Sequence, residues 1–247
     1  MDCFISFPKL KCFTLKNFLR RWSSPDPKRS VIIISMEFNG KNILCKRGEK
    51  EVFSGLSIKL VPGEIIELHG PNGIGKTSLL RLISGISKPT HGTFYWSDGT
   101  VSEYPERHFS RITLIGSADA LKPMLTVEEN LYDWTWLNRP RPERSTIISA
   151  LRVFGIDALA DTPVRFLSAG QKRRLTLSRL LTVETNLWLL DEPTIALDSE
   201  AVSLLKKLLV KHCESGGMAV IATNNDMQIQ NTRKVNLLSY ARSRQHE

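Results

Sequence analysis

Apolar and polar positions along this chain follow two alternating rhythms. Short continuous apolar runs, Ile65-Ile66-Glu67-Leu68, Ile112 to Ile115, Leu187 to Leu190 and Met218 to Thr223, read as buried strands. Between them lie stretches at helical spacing: Leu79 to Ile83, a helix opening near Gly170, and one from about Ser199 to Glu214. Strands that are apolar on both faces and alternate with helices predict an α/β fold with a mostly parallel sheet covered on both sides. From Met36 to about Leu60 the pattern is one of short strands, with Val52-Phe53 and Leu56 to Leu60 alternating before a Pro62-Gly63 turn. Thr93 to Trp96 reads as a further strand.

The character changes between about 117 and 167. Val127, Asn130, Leu131 and Trp134 recur at i, i+3, i+4 and i+7, with Glu128 and Glu129 in the first turn and Thr126 poised for a capping box with Glu129. A second helix is expected from about Glu143 to Phe154, stopped by Gly155. This is an all-helical insertion in an otherwise α/β chain. The expected organisation is therefore an extension over 1–35, a folded domain over 36–241 and a polar tail over 242–247.

Composition changes the picture little. A chain of 247 residues with 41% apolar content can bury one sizeable core. No apolar run approaches the length of a membrane span. Cys3, Cys12, Cys45 and Cys213 are widely spaced and form no metal-ligand pattern, which suits a reducing compartment. The net charge of +9 is concentrated: Lys9, Lys11, Lys16, Arg20, Arg21, Lys28 and Arg29 against Asp2 and Asp26 put a surplus of five in the first 35 residues. There Leu15, Phe18, Leu19 and Trp22 share a helical stripe and acids are scarce, a composition that suits an organellar transit peptide. The alternative is an untranslated or unstructured extension ahead of Met36. With no aromatic-basic recognition pattern elsewhere, no nucleic-acid partner is expected.

The chemistry begins at Gly70–Ser78, GPNGIGKTS, which follows a strand and opens a helix. That context is what a phosphate-binding loop requires. Gly70, Gly73 and Gly75, with Pro71, Asn72 and Ile74 between them, can turn consecutive N–H groups inward as an anion nest, and the helix N-terminus adds partial positive charge. Lys76 reaches the β- and γ-phosphates, the Thr77 hydroxyl can ligate Mg²⁺, and Ser78 follows within reach. The loop implies a nucleoside triphosphate. Leu187 to Leu190 then delivers Asp191, to hold Mg²⁺ through water, and Glu192, to polarise an attacking water as general base. At Leu167-Ser168-Ala169-Gly170-Gln171 a serine and a glycine open a helix carrying Lys172, Arg173 and Arg174, a second anion site for which one chain has no evident use. It fits closure on the nucleotide of a second copy; the alternative is an ordinary N-cap serine before a basic helix face.

These motifs, with Ala196-Leu197-Asp198, resemble the motor subunit of an ABC transporter over about Met36 to Ser239. More narrowly, Phe53–Ser57, Leu79–Pro89, Leu167–Leu181 and Asn186–Pro193 resemble the heme-exporter ATPase of cytochrome c maturation. The resemblance implies a P-loop NTPase fold with an N-terminal antiparallel β part and an inserted helical subdomain. It also implies ATP and Mg²⁺ as ligands, and a sandwich in which Ser168, Gly170 and Gln171 of one copy, with Asp198, meet the nucleotide of the other. Partners would be the integral membrane subunits of a heme-handling complex, with the chain peripheral on an energy-transducing membrane, mitochondrial on the matrix side or bacterial on the cytoplasmic face. Three positions depart from the family. Ala118 stands where a glutamine is expected, Asn224 where a histidine contacts the γ-phosphate, and Arg47 or a neighbour where an aromatic stacks on adenine. Asparagine cannot carry the proton or charge that histidine can. Hydrolysis is the expectation; an ATP-binding assembly subunit that barely hydrolyses is the alternative, and a soluble family member acting on nucleic acid is disfavoured by the single motor domain.

Overall fold

The computed structural model describes residues 36–138 and 141–241. The extension over 1–35, with its transit reading, and the tail over 242–247 lie outside the described residues. In chain order the elements are β1 (Phe38–Arg47), β2 (Lys50–Leu60), β3 (Ile65–His69), α1 (Lys76–Ile83), β4 (His91–Trp96), β5 (Gly99–Thr100), α2 (Pro105–Arg111) and β6 (Ile112–Ile115). They continue as α3 (Val127–Asn138), α4 (Arg144–Val153), α5 (Ala169–Ser178), β7 (Leu187–Asp191), α6 (Ser199–Glu214), β8 (Met218–Ala222) and β9 (Thr232–Asn236).

Two sheets result. One is antiparallel in the order β2-β1-β4-β5; the other is parallel in the order β6-β7-β8-β3-β9. This is the P-loop α/β architecture with its antiparallel N-terminal part. All five residues of β7 and all five of β8 are buried, the continuous apolar pattern of strands covered on both faces. α1 places Leu79, Leu80, Leu82 and Ile83 in the core beside Phe53, Leu68, Leu189 and Val220. The stripe on α3 is buried at Val127, Asn130 and Leu131, and Thr126 and Glu129 exchange the two bonds of the expected capping box, at 3.2 and 2.8 Å.

Three elements differ from the periodicity. Val52-Phe53 and Leu56–Leu60 are one strand rather than two. The partners step from Ile43↔Leu56 to Cys45↔Phe53, so β2 carries an extra residue there, and Gly55 at φ 69° absorbs it as a bulge that interrupts the alternation. β9 was not expected, because TRKVN is an exposed, polar edge strand of the kind that blunts sheet-to-sheet association. The short α2 also escapes periodicity, with His108 alone fully buried. No described helix is long and apolar enough to cross a membrane.

On the far side of the parallel sheet, the His212 ring of α6 stacks on Trp188 of β7 at 3.9 Å with planes 4° apart. A Cβ on Gly217 would lie 2.3 Å from that ring, so glycine is required for this seat. Burial pushes the His212 imidazole down to about 4. The unfolded chain, with a value near 6.5, therefore binds more protons than the folded chain between these limits, and stability falls as pH drops from about 6.5 toward about 4. We expect His212 to account for about 2 kcal/mol of stability lost between pH 7.5 and pH 5. Urea unfolding at the two pH values should show a smaller loss in His212→Gln than in the wild type, even though the variant starts less stable.

Candidate nucleotide site

The parallel register aligns the C-terminal ends of three strands. Leu68 of β3 and Asp191 of β7 both pair with Ala222 of β8, so the loop after β3, the turn after β7 and the residues after β8 emerge at one edge. This edge is where open α/β sheets bind ligands. The loop leaves β3 through Gly70 at φ 143° and reaches α1 through Gly73 at 78° and Gly75 at 115°. A Cβ on Gly75 would sit 2.6 Å from Val52 Cγ1, so the loop is also pressed against β2. No side chain caps the α1 N-terminus and no acid lies in its first turn, leaving its N–H groups open to an anion.

Lys76 is 7% exposed, and its Nζ donates to Gly70 O and to Asn224 Oδ1, each at 2.6 Å. Thr77 Oγ1 donates to Asp191 Oδ2 at 2.9 Å. A hydroxyl and a buried carboxylate at that separation are the hard oxygen donors that Mg²⁺ accepts while keeping most of its waters. Glu192 follows with a left-handed backbone, φ 45°; its N–H extends the sheet to Ala222 O, and its Oε2 lies 3.5 Å from Asn224 N. Ser78 accepts from Arg47 Nη2 at 2.8 Å, which brings Arg47 to the phosphate-loop helix rather than leaving it on a remote strand end. Asn224 presents its oxygen to Lys76, so its position is legible from sequence but its role as acceptor is not.

The second motif has a different geometry. Ser168 caps α5: Gln171 N donates to Ser168 Oγ at 3.2 Å and Ser168 N to Gln171 Oε1 at 2.9 Å. A Cβ on Gly170 would meet Ala196 O at 2.9 Å. Asp198 caps α6 by accepting from Ala201 N at 2.9 Å and pairs with Arg174 Nη2 at 2.6 Å. These two contacts, the backbone bond foremost, hold its carboxyl below the usual range. Among the described residues, none of Ser168, Gly170, Gln171 and Asp198 hydrogen-bonds the phosphate loop.

At Arg173 and Arg174 the anticipated basic helix face is not free. Arg174 bonds Phe154 O and Asp198, and Arg173 is buried with its guanidinium on Gly116 O, Asp119, Asp191 O, Glu192 O and Pro193 O. Arg179, pushed down to about 10 by burial, donates to Asp119 O and Ala120 O. The loop carrying Ala118 is thus held from α5 and the turn after it. A run of arginines in sequence reads equally as solvated charge; only packing distinguishes the two.

A family model described as ABC transporter matches residues 53–195, more than half of the chain. The chain belongs to the ABC transporter family. It is an ATP-binding protein of that family, which implies ATP binding and hydrolysis, dimerisation and pairing with membrane subunits. It is similar to the cytochrome c biogenesis ATP-binding export protein CcmA of Paramagnetospirillum magneticum, 44% identical over 206 residues that cover 83% of this chain and 95% of that one. The protein of the same name from Rhodospirillum rubrum is 43% identical over 192 residues, 78% of this chain and 82% of that one. Among solved structures, an ATP-binding cassette in a dimeric post-hydrolysis state with ADP and Pi shares the fold, with a TM-score of 0.69 at 24% identity over 81% of this chain and 93% of that one.

The crowding at Gly75 has a direct consequence. Gly75→Ala meets both an unfavourable φ and the Val52 methyl, and should destabilise the fold by roughly 1–3 kcal/mol. In an ABC ATPase it should also weaken nucleotide binding by ~10-fold or more, because the N–H groups of the loop move off their aim. Thermal unfolding and titration with a fluorescent ATP analogue measure the two effects.

Proposed function

We propose that this chain is the ATP-hydrolysing motor of an export complex for cytochrome c biogenesis, with heme as the cargo handled by its membrane partners. The observation that carries the enzymatic part is the 2.9 Å bond from Thr77 to the buried Asp191, beside a Lys76 held over the same loop. The export assignment is supported by 44% identity to a protein bearing that name, and heme by the motif resemblance at Leu79–Pro89 and Leu167–Leu181.

In this reading Gly70 to Gly75, with Pro71, Asn72 and Ile74, form the backbone cradle for the phosphates, and Lys76 exchanges Gly70 O and Asn224 for phosphate oxygens. Thr77 and, through water, Asp191 would hold Mg²⁺, which would supply charge neutralisation at the β- and γ-phosphates. Ser78 steadies Arg47 at the edge of the loop. Glu192 accepts the proton of the attacking water. Asn224 N lies 3.5 Å from its Oε2, close enough to hold the carboxylate toward the loop as that bond tightens. Ser168, Gly170 and Gln171 of a second copy close over the phosphates, the Ser168 cap using one lone pair and leaving the hydroxyl proton for an anion. Asp198 lies at the junction of the two copies. Residues 36–241 are the ATP-binding domain and about 117–167 its helical part. The relatives named above are bacterial, and a mitochondrial placement rests on residues 1–35 alone.

A second reading, an ATP-binding assembly subunit with little turnover, is favoured by one contact: Asn224 turns its acceptor to Lys76, and its amide, though able to donate a hydrogen bond to phosphate, cannot carry the titratable proton or charge of a histidine. Single-turnover hydrolysis by the chain with its membrane subunits separates the two. As a motor, Glu192→Gln should lower the rate by ~10² or more, and Asn224→His should leave it unchanged or raise it. A slow wild-type rate indifferent to Glu192→Gln would establish the assembly reading. In cells, Lys76→Ala should abolish cytochrome c maturation under either reading, through loss of nucleotide binding.

A further inference from the structure

Arg173 is the fifth residue of α5 and is 3% exposed. A guanidinium has five N–H donors, and here five acceptors surround it. Nη1 donates to Gly116 O at 2.8 Å and Asp119 Oδ1 at 3.2 Å; Nη2 donates to Glu192 O at 2.8 Å and Asp191 O at 3.0 Å; Nε donates to Pro193 O at 3.2 Å. Four of the five are backbone carbonyls. A buried cation held this way is a costly means of filling space, since only one of its five partners carries the opposite charge. What the planar fork provides is geometry: it sets the relative position of every group it binds.

Those groups belong to two segments. One is the loop after β6, whose Asp119 O and Ala120 O are also held by Arg179 and whose Asp119 O receives Thr176 Oγ1. The other is the turn Asp191-Glu192-Pro193, where one guanidinium gathers three consecutive carbonyls around a residue with φ 45°. Backbone orientation at Glu192 fixes where its Cβ points, and so where its carboxylate lies. Ala118 has no polar side chain with which to link that loop to the site; the link runs through Arg173 instead.

We propose that Arg173 is a positioning residue for the ATPase reaction, which holds Glu192 in its working orientation and ties that orientation to the loop at 116–120. This rests on Glu192 being the general base. Displacing the loop moves the Nη1 side of the guanidinium, and the carbonyl of Glu192 is on the Nη2 side.

The experiment uses the full chain with its membrane subunits, and compares single-turnover hydrolysis with affinity for a fluorescent ATP analogue. Arg173→Gln should lower the rate about 10- to 100-fold with affinity within about threefold of wild type, and Arg173→Lys should fall between. Introduced into Glu192→Gln, Arg173→Gln should cost no more than about twofold further, because a residue acting through Glu192 has nothing left to position. Full multiplicative loss in the double variant, or parallel loss of affinity and rate, would mean that Arg173 is structural and overturn the proposal. Should Arg173→Gln fail to fold, Asp119→Asn carries the test, since it breaks the ion pair and leaves the carbonyl bonds: a rate lowered about threefold or more at unchanged affinity supports the proposal, and an unchanged rate overturns it. If Glu192→Gln itself leaves hydrolysis intact, the base assignment fails first, and that outcome is visible in the single variant.

Discussion

The parallel pairing of β3, β8 and β7 is the constraint on which the molecule depends. Because the three strands point the same way and share a register at Ala222, their C-terminal ends are level, and whatever follows each strand is delivered to one edge. Burial on both faces enforces that register, since a slip of one residue would carry polar neighbours into the core. The phosphate loop, the two carboxylates and Asn224 are therefore neighbours by topology. Residues separated by 114 and 148 positions come within hydrogen-bond distance with no long loop to organise them.

The electrostatics of that edge are prepared in advance. Asp191 is nearly fully buried yet bonded to Thr77, and Lys76 is nearly fully buried yet bonded to two oxygens. Neither charge is stranded, so the desolvation that would otherwise displace them is offset by directed contacts. The same contacts are the ones a triphosphate and its cation can substitute. On the proposed reading, binding exchanges one set of oxygens for another, which keeps reorganisation small.

The other motif is organised for a different task. Ser168 and Gln171 satisfy each other, Asp198 satisfies α6 and Arg174, and Gly170 lets the α5 N-terminus come close to Ala196. These contacts stiffen a surface rather than complete the phosphate loop within one chain. That is the form which the proposed two-copy site requires of its second half.

The sequence by itself determined the α/β class, the glycine-rich turn from β3 into α1, the arrival of Asp191 and Glu192 at the end of β7, the extent of α6, and the capping box on α3. Each is written in local chemistry: continuous apolar runs, glycines where the backbone must turn, and acids or hydroxyls at helix starts. Tertiary structure decided the rest. The bulge that makes β2 a single strand depends on a partner strand, and β9 is a strand only because β3 offers it an edge. Arg47 reaches Ser78 through packing of two distant elements. Arg173 carries the sharpest contrast, because three consecutive basic residues look alike in sequence, and only folding sends one of them inward to five acceptors from two segments. Propensity and periodicity report what a residue does to its own neighbourhood; a hydrogen bond across 57 residues depends on where the rest of the chain has gone.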